Sequence, residues 1–128
     1  MKRILTVLLC LSLVGCATGY HGKGLTGGYS NMKLQDNIFK VTFNGNAYLS
    51  MEKAKDFALL RSAEITIENG YKYFVVLEAN GSMKIASYIT PAANMTIECF
   101  RDKPAHVKGM IYDAGQIKTN IKKAYNIQ

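Results

Sequence analysis

Few groups in this chain can act as a nucleophile, a base or a metal ligand. Cys10, Cys16 and Cys99 are its thiols, and His21 and His106 its imidazoles, in 128 residues. A hydrolytic or acyl-transfer site needs a nucleophile, a base and a group that orients the base. Spacing offers one such pairing, Cys99 with His106 across an intervening turn. The plainer reading of Cys99 is an inert thiol, because it shares a strand face with Met95 and Ile97. No Cys-x-x-Cys, His-x-x-x-His or His-Glu-x-x-His is present, and the sequence near His21 offers no second metal-ligand residue type. No glycine loop that could cradle phosphate follows a strand, so neither metal nor cofactor is expected. Arg61, Glu64 and Glu68 form the remaining group, at helical spacings of three and four. One reading is a surface ion pair contributing a few tenths of a kcal/mol. The other is a partly buried Arg61–Glu64 pair, because Arg61 falls among Ala54, Phe57, Ala58 and Ile65. Such a pair would fix packing or a partner surface. The expectation is a protein that is not an enzyme.

Cys16 stands in a different context. Lys2 and Arg3 precede Ile4–Val14, an almost wholly apolar run. That run is too short to span a bilayer, which takes about 20 residues, and it suits the apolar core of a secretory signal. It ends in Leu13-Val14-Gly15-Cys16, which resembles the lipobox of bacterial lipoproteins. The resemblance implies a signal over 1–15, cleavage between Gly15 and Cys16, and diacylglycerol on the Cys16 sulfur. Acylation of the new amino terminus, commonly by palmitate, would follow. Two or more acyl chains anchor firmly, so the membrane lipid itself is an expected partner. Ala17 stands where an Asp retains lipoproteins in the inner membrane. The class therefore implies the outer membrane, with the domain facing the periplasm.

Processing changes the arithmetic. The net charge of +7 falls to +5 when Lys2 and Arg3 leave, and only Cys99 keeps a thiol. No internal disulfide can then form, even in an oxidising compartment.

Residues 16–36 read as the lipidated Cys and a flexible tether, punctuated by Gly19, Gly22, Gly24, Gly27 and Gly28. Twenty such residues would span roughly 25 Å on average and about 70 Å at most. Tyr20 and Tyr29 are either aromatics at headgroup level or, more plainly, solvated loop tyrosines.

The elements that must position any site follow, as one domain over 37–128. Ile38–Asn44 alternates, with Phe39, Val41 and Phe43 on one face. Ser50 caps a helix over Met51–Glu68 whose apolar residues spread beyond one stripe, as in a helix packed on two sides. Gly70 suits its left-handed end. Tyr71–Ala79 is a β-prone central strand, Asn80-Gly81 a hairpin signal, Met83–Thr90 a weaker returning strand ended by Pro91, and Met95–Phe100 another. Asp113 and Gln116 open a last helix carrying Lys118, Lys122 and Lys123. The order β-α-β-(β)-β-α predicts an α+β two-layer sandwich, with two helices on one face of a mixed three- or four-stranded sheet. The first two strands are expected to be parallel, joined by a crossover.

The positive charge invites a nucleic-acid reading. Location argues against it, and so does pattern, since the lysine cluster lacks interleaved stacking aromatics apart from Tyr112 and Tyr125. No nucleic-acid partner is expected.

Phe39–Asn46, Ala58–Thr66, Gly70–Phe74 and Thr96–Phe100 carry a resemblance to a family of short proteobacterial outer-membrane lipoproteins of uncharacterised function. It covers about Gly28 to Ala114. Lys40 stands where the family usually has Arg, and Ser62 where it has Ala. A looser likeness is to the peptidoglycan-binding domains of outer-membrane proteins, with Arg61-Ser62 in place of their Arg-Ala. The Asp those domains carry near the end of the first strand is absent, and Asn44-Gly45-Asn46 stands there. The functional expectation is a membrane-anchored envelope interaction or scaffold module with an envelope protein as partner. The alternatives are a peptidoglycan or envelope-glycan binder and, behind it, a thiol enzyme or redox sensor through Cys99.

Overall fold

In the computed structural model, which describes residues 19–24, 27–46, 49–85 and 88–128, the elements follow in seven steps. They are β1 (Gly28–Gln35), β2 (Ile38–Asn44), α1 (Met51–Glu68), β3 (Tyr73–Ile85), β4 (Tyr88–Phe100), β5 (Ile111–Asp113) and α2 (Ala114–Ala124). The class is α+β, as expected. The sheet has five strands in the order β1-β2-β4-β3-β5, and every neighbouring pair is antiparallel, which replaces the expected mixed sheet of three or four.

β2 and β3 do run parallel, since both oppose β4, but β4 lies between them. Two facts put it there. The hairpin to β3 closes over a few residues, which costs little chain entropy. β4 also buries Ala93, Met95, Ile97 and Cys99 in strict alternation, a face that belongs at the sheet centre. Those four, with Phe39, Val41, Phe43 and Phe74, form the floor of the core. α1 lies on that floor and packs its flank against α2. Its burial of Ala54, Phe57, Ala58, Leu60, Ala63 and Ile65 fills both contacts.

The helix ends behave as the sequence predicts. The Ser50 hydroxyl accepts from the Lys53 amide at 3.1 Å, and an Asp113 oxygen accepts from the Gln116 amide at 3.2 Å. At the end of α1 the Tyr71 amide reaches back to the Thr66 carbonyl across Gly70, whose φ is +81°. That is the left-handed close glycine favours.

Three expectations are corrected. Gly28–Gln35, assigned to the tether, is strand β1, and Tyr20 and Tyr29 pack on the core. The ring of Tyr20 lies 5.5 Å from that of Phe57 and 5.0 Å from that of Tyr29. The domain therefore begins before residue 37, and the tyrosines are neither solvated nor free to sit among headgroups. Asn80-Gly81 is not a turn. β3 runs through it to Ile85 and pairs with a single strand that continues through Pro91. Gly81 instead admits Met51, whose Cε would lie 2.7 Å from an added Cβ. Pro91 is tolerated because the register shifts there, between the Gly81–Ala93 and Met83–Thr90 pairs. β5 was not expected at all. Its three residues are held by pairing with β3 and by the stacking of Tyr112 on Phe74 at 5.1 Å.

Candidate functional site

The helices cover one face of the sheet. The other face is partly open, and strand register decides what stands on it. Two rows cross four strands there: Met32, Lys40, Thr96, Glu78, and beside it Ser30, Thr42, Asn94, Asn80. On β2 and β4 these groups alternate with Phe39, Val41, Phe43, Ala93, Met95 and Ile97, buried on the helix side, so the pleat turns Lys40, Thr42, Asn94 and Thr96 outward, and cross-strand register aligns the β1 and β3 residues with them. At the other end of the face Val75 is buried, with Gly109 of the 101–110 loop lying against it. The loop thus closes one end and leaves a groove over β1, β2, β4 and β3.

That groove holds about 470 Å³ and is lined by residues of both rows, with Leu34 at its rim. A second depression of about 290 Å³ shares Met32 and Lys40 with it. Within the groove the Thr42 hydroxyl donates to the Asn94 side-chain oxygen at 2.8 Å, and the Asn80 amide donates to Glu78 at 3.0 Å. Lys40 and Glu78 flank Thr96 on opposite sides. Met32 is 60% exposed and Leu34 48%, two apolar contacts beside a polar floor. Amides, hydroxyls and one charge of each sign suit the binding of a polar, extended ligand.

Sequence reasoning missed this site. The outward residues of a half-buried strand carry no periodic signal of their own. The alternation of Ile38–Asn44 puts Lys40 and Thr42 opposite Phe39, Val41 and Phe43, but their neighbours on β1, β3 and β4 depend on register.

Arg61 is placed differently. Its guanidinium donates to Glu68 at 3.1 Å and to the Asn31 side chain at 3.2 Å, and lies 4.5 Å from the centre of the Tyr29 ring. The side chain is only 13% exposed. Its carboxylate partner is Glu68, two turns on, and its role is to clasp α1 to β1. Glu64 belongs to another surface, facing Lys118 and Lys122 of α2. The structure therefore does not bring Arg61 and Glu64 together as a pair.

Burial raises the Glu64 carboxyl above its ordinary value, with the two lysines pulling the other way and Glu68 adding to the rise. One of its oxygens is buried without a hydrogen-bond partner. A raised native pKa means that folding favours the protonated form. That contribution is complete below the unfolded value near 4.5 and is lost as pH rises through the native value. Glu64→Gln is accordingly expected to raise the melting temperature at pH 7. The gain should shrink as the parent is acidified, which paired thermal melts across pH will show.

Cys99 is buried under α1, its sulfur 3.3 Å from the Thr66 hydroxyl. The Thr66 hydroxyl also donates to the Ser62 carbonyl at 2.8 Å. Burial pushes the thiol pKa up, against the Thr66 contact, which lowers it, and Glu98, which adds to the rise. His106 is exposed in the 101–110 loop, and the structure does not bring it to Cys99. Iodoacetamide is expected to leave Cys99 unmodified in the native protein and to label it fully in urea, read by mass spectrometry.

Gly15 and Cys16 lie outside the described residues, as does the whole 1–15 signal. Among the described residues no cluster of three or more metal-ligating side chains occurs, and no helix is long and apolar enough to cross a membrane. Compared with known proteins, the chain matches no family, no curated protein and no solved structure.

Proposed function

We propose that this chain is a lipid-anchored bacterial envelope protein whose domain is a non-catalytic interaction module. The anchor rests on the lipobox-like Leu13-Val14-Gly15-Cys16, with acylation at Cys16 and residence in the outer membrane. The module rests on one observation, the groove whose floor is made by Lys40, Thr96, Asn94 and Asn80. It engages an envelope protein, with the extended polar floor receiving a segment of that partner. Met32 and Leu34 supply the apolar rim.

A photocrosslinking residue at Thr96, introduced into the full acylated chain in its own membrane, tests this. The expected result is one dominant adduct that is absent when the probe stands at exposed Lys103. No specific adduct at native abundance overturns the reading. The density of hydroxyl and amide groups favours a second reading, binding of peptidoglycan or another envelope glycan. Co-sedimentation with sacculi, reduced by Asn94→Ala, would establish it, and a domain left in the supernatant would remove it.

A further inference from the structure

One end of the sheet gathers three features that the groove does not use. Gly28, Asn44, Ala92 and Ala93, with Gly81, lie in line across β1, β2, β4 and β3. Past that line, among the described residues, only β3 and β4 continue, paired as Met83–Thr90, Lys84–Ile89 and Ile85–Tyr88. They form a two-stranded arm reaching about 13 Å beyond the sheet, the length of four strand residues. A ribbon of two strands is marginal in water by itself and calls for a surface to lie on.

The arm's composition is specific. Met83, Ile85, Tyr88 and Ile89 accompany Lys84, and no Asp or Glu occurs between Glu78 and Glu98. Apolar residues with a Tyr and a Lys are what the boundary between water and hydrocarbon accepts. At this end Lys55 approaches Gly81, and Lys53 lies over the ring of Phe57, the neighbour of Tyr20.

The chain's entry point is also there. Tyr20 packs over Phe43, next to Asn44, and Cys16 lies four residues earlier. Four residues reach at most about 14 Å. An acyl chain on Cys16 would therefore hold this end against the bilayer, where a twenty-residue tether would have let the domain turn freely.

We infer that the β3–β4 arm is a membrane-seated wedge, docking in the lipid interface beside the Cys16 anchor and fixing the domain's orientation. This rests on the lipoprotein reading. The groove then faces sideways along the sheet, clear of the lipid.

The chain has no tryptophan, so a single one reports its own surroundings. Tyr88→Trp is made in the full chain, acylated in a bacterial host, and placed in vesicles of phosphatidylethanolamine and phosphatidylglycerol containing brominated acyl chains. A control variant carries the tryptophan at Tyr73, at the opposite end of β3. The arm tryptophan is expected to shift blue and lose about half its emission, since interfacial groups sit ~5–10 Å into the bilayer boundary. The control is expected to lose little. Ile89→Trp repeats the measurement should Tyr88→Trp misfold. Fatty-acid incorporation is measured on the same samples. A chain that takes up no fatty acid overturns the anchor and the orientation together. An acylated chain whose arm tryptophan is quenched no more than the control overturns the orientation alone.

Discussion

Phe57→Ala is expected to lower the unfolding free energy by about 3–5 kcal/mol, the range for emptying a buried aromatic site. Phe57 is 2% exposed and stands where four parts of the chain meet. Its ring lies 5.0 Å from Phe43 of β2, 5.5 Å from Tyr20 and 5.3 Å from Tyr125, each at a steep interplanar angle. The ammonium of Lys53 sits 5.4 Å above it. Edge-to-face contacts add to simple burial, and no neighbour can fill the space from one side without leaving another. A domain of this size is typically stable by only ~5–15 kcal/mol, so the variant should be largely unfolded in mild urea. Urea unfolding followed by circular dichroism will show a lower midpoint with an unchanged slope. Tyr125 also gives this cluster a pH dependence. Its hydroxyl donates to Asp56, and that bond, with burial and the charges of Asp56 and Glu52, pushes its pKa up to about 12. The resulting stabilisation is complete below pH ~10 and is lost as pH rises toward 12.

Gly28→Ala should have the second largest effect, about 2–4 kcal/mol from backbone strain and lost hydrogen bonds. Gly28 has φ +123°, and an added Cβ would lie 2.5 Å from both the His21 and the Gly22 carbonyl oxygens. Those atoms are backbone and cannot swing aside. The same stretch accepts the Tyr29 amide at 2.8 Å and gives the Lys23 amide to the Tyr29 carbonyl at 3.0 Å. Alanine must therefore push residues 21–24 off β1, and Tyr20 would leave the aromatic cluster with them. Limited trypsin digestion checks this directly. Lys23 should be cut in the variant while the rest of the domain stays resistant. A variant that melts like the parent and keeps Lys23 protected would mean the segment is not docked.

Much of the architecture was legible because it depends on local chemistry. The alternation of Phe39, Val41 and Phe43, the Ser50 and Asp113 caps and the Gly70 stop each act within a few residues. β1 was not legible. Five of its eight residues are exposed, and its helix-side groups, Tyr29, Asn31 and Lys33, are polar enough to look like a loop. Only pairing with β2 makes it a strand. The Asn80-Gly81 signal misled because glycine there makes room for Met51, a contact that exists only once α1 is in place. Arg61 could be placed among apolar helix neighbours, yet its partners Asn31 and Tyr29 come from a strand the sequence did not disclose. The groove was hidden for the same reason, being a property of four strands in register.

The position of β4 between β2 and β3 sets a timetable. β2 cannot find its inner neighbour until almost the whole domain exists; the Asn37 side chain bonds to the Cys99 carbonyl across 62 residues. Contacts of that separation make a domain close slowly, in milliseconds to seconds. A chain leaving a cell through a narrow channel, amino terminus first, must stay unfolded until it has been threaded through. Under the proposed export of this chain, the first half of the domain would have no complete sheet to form during that interval, and slow closure would aid translocation.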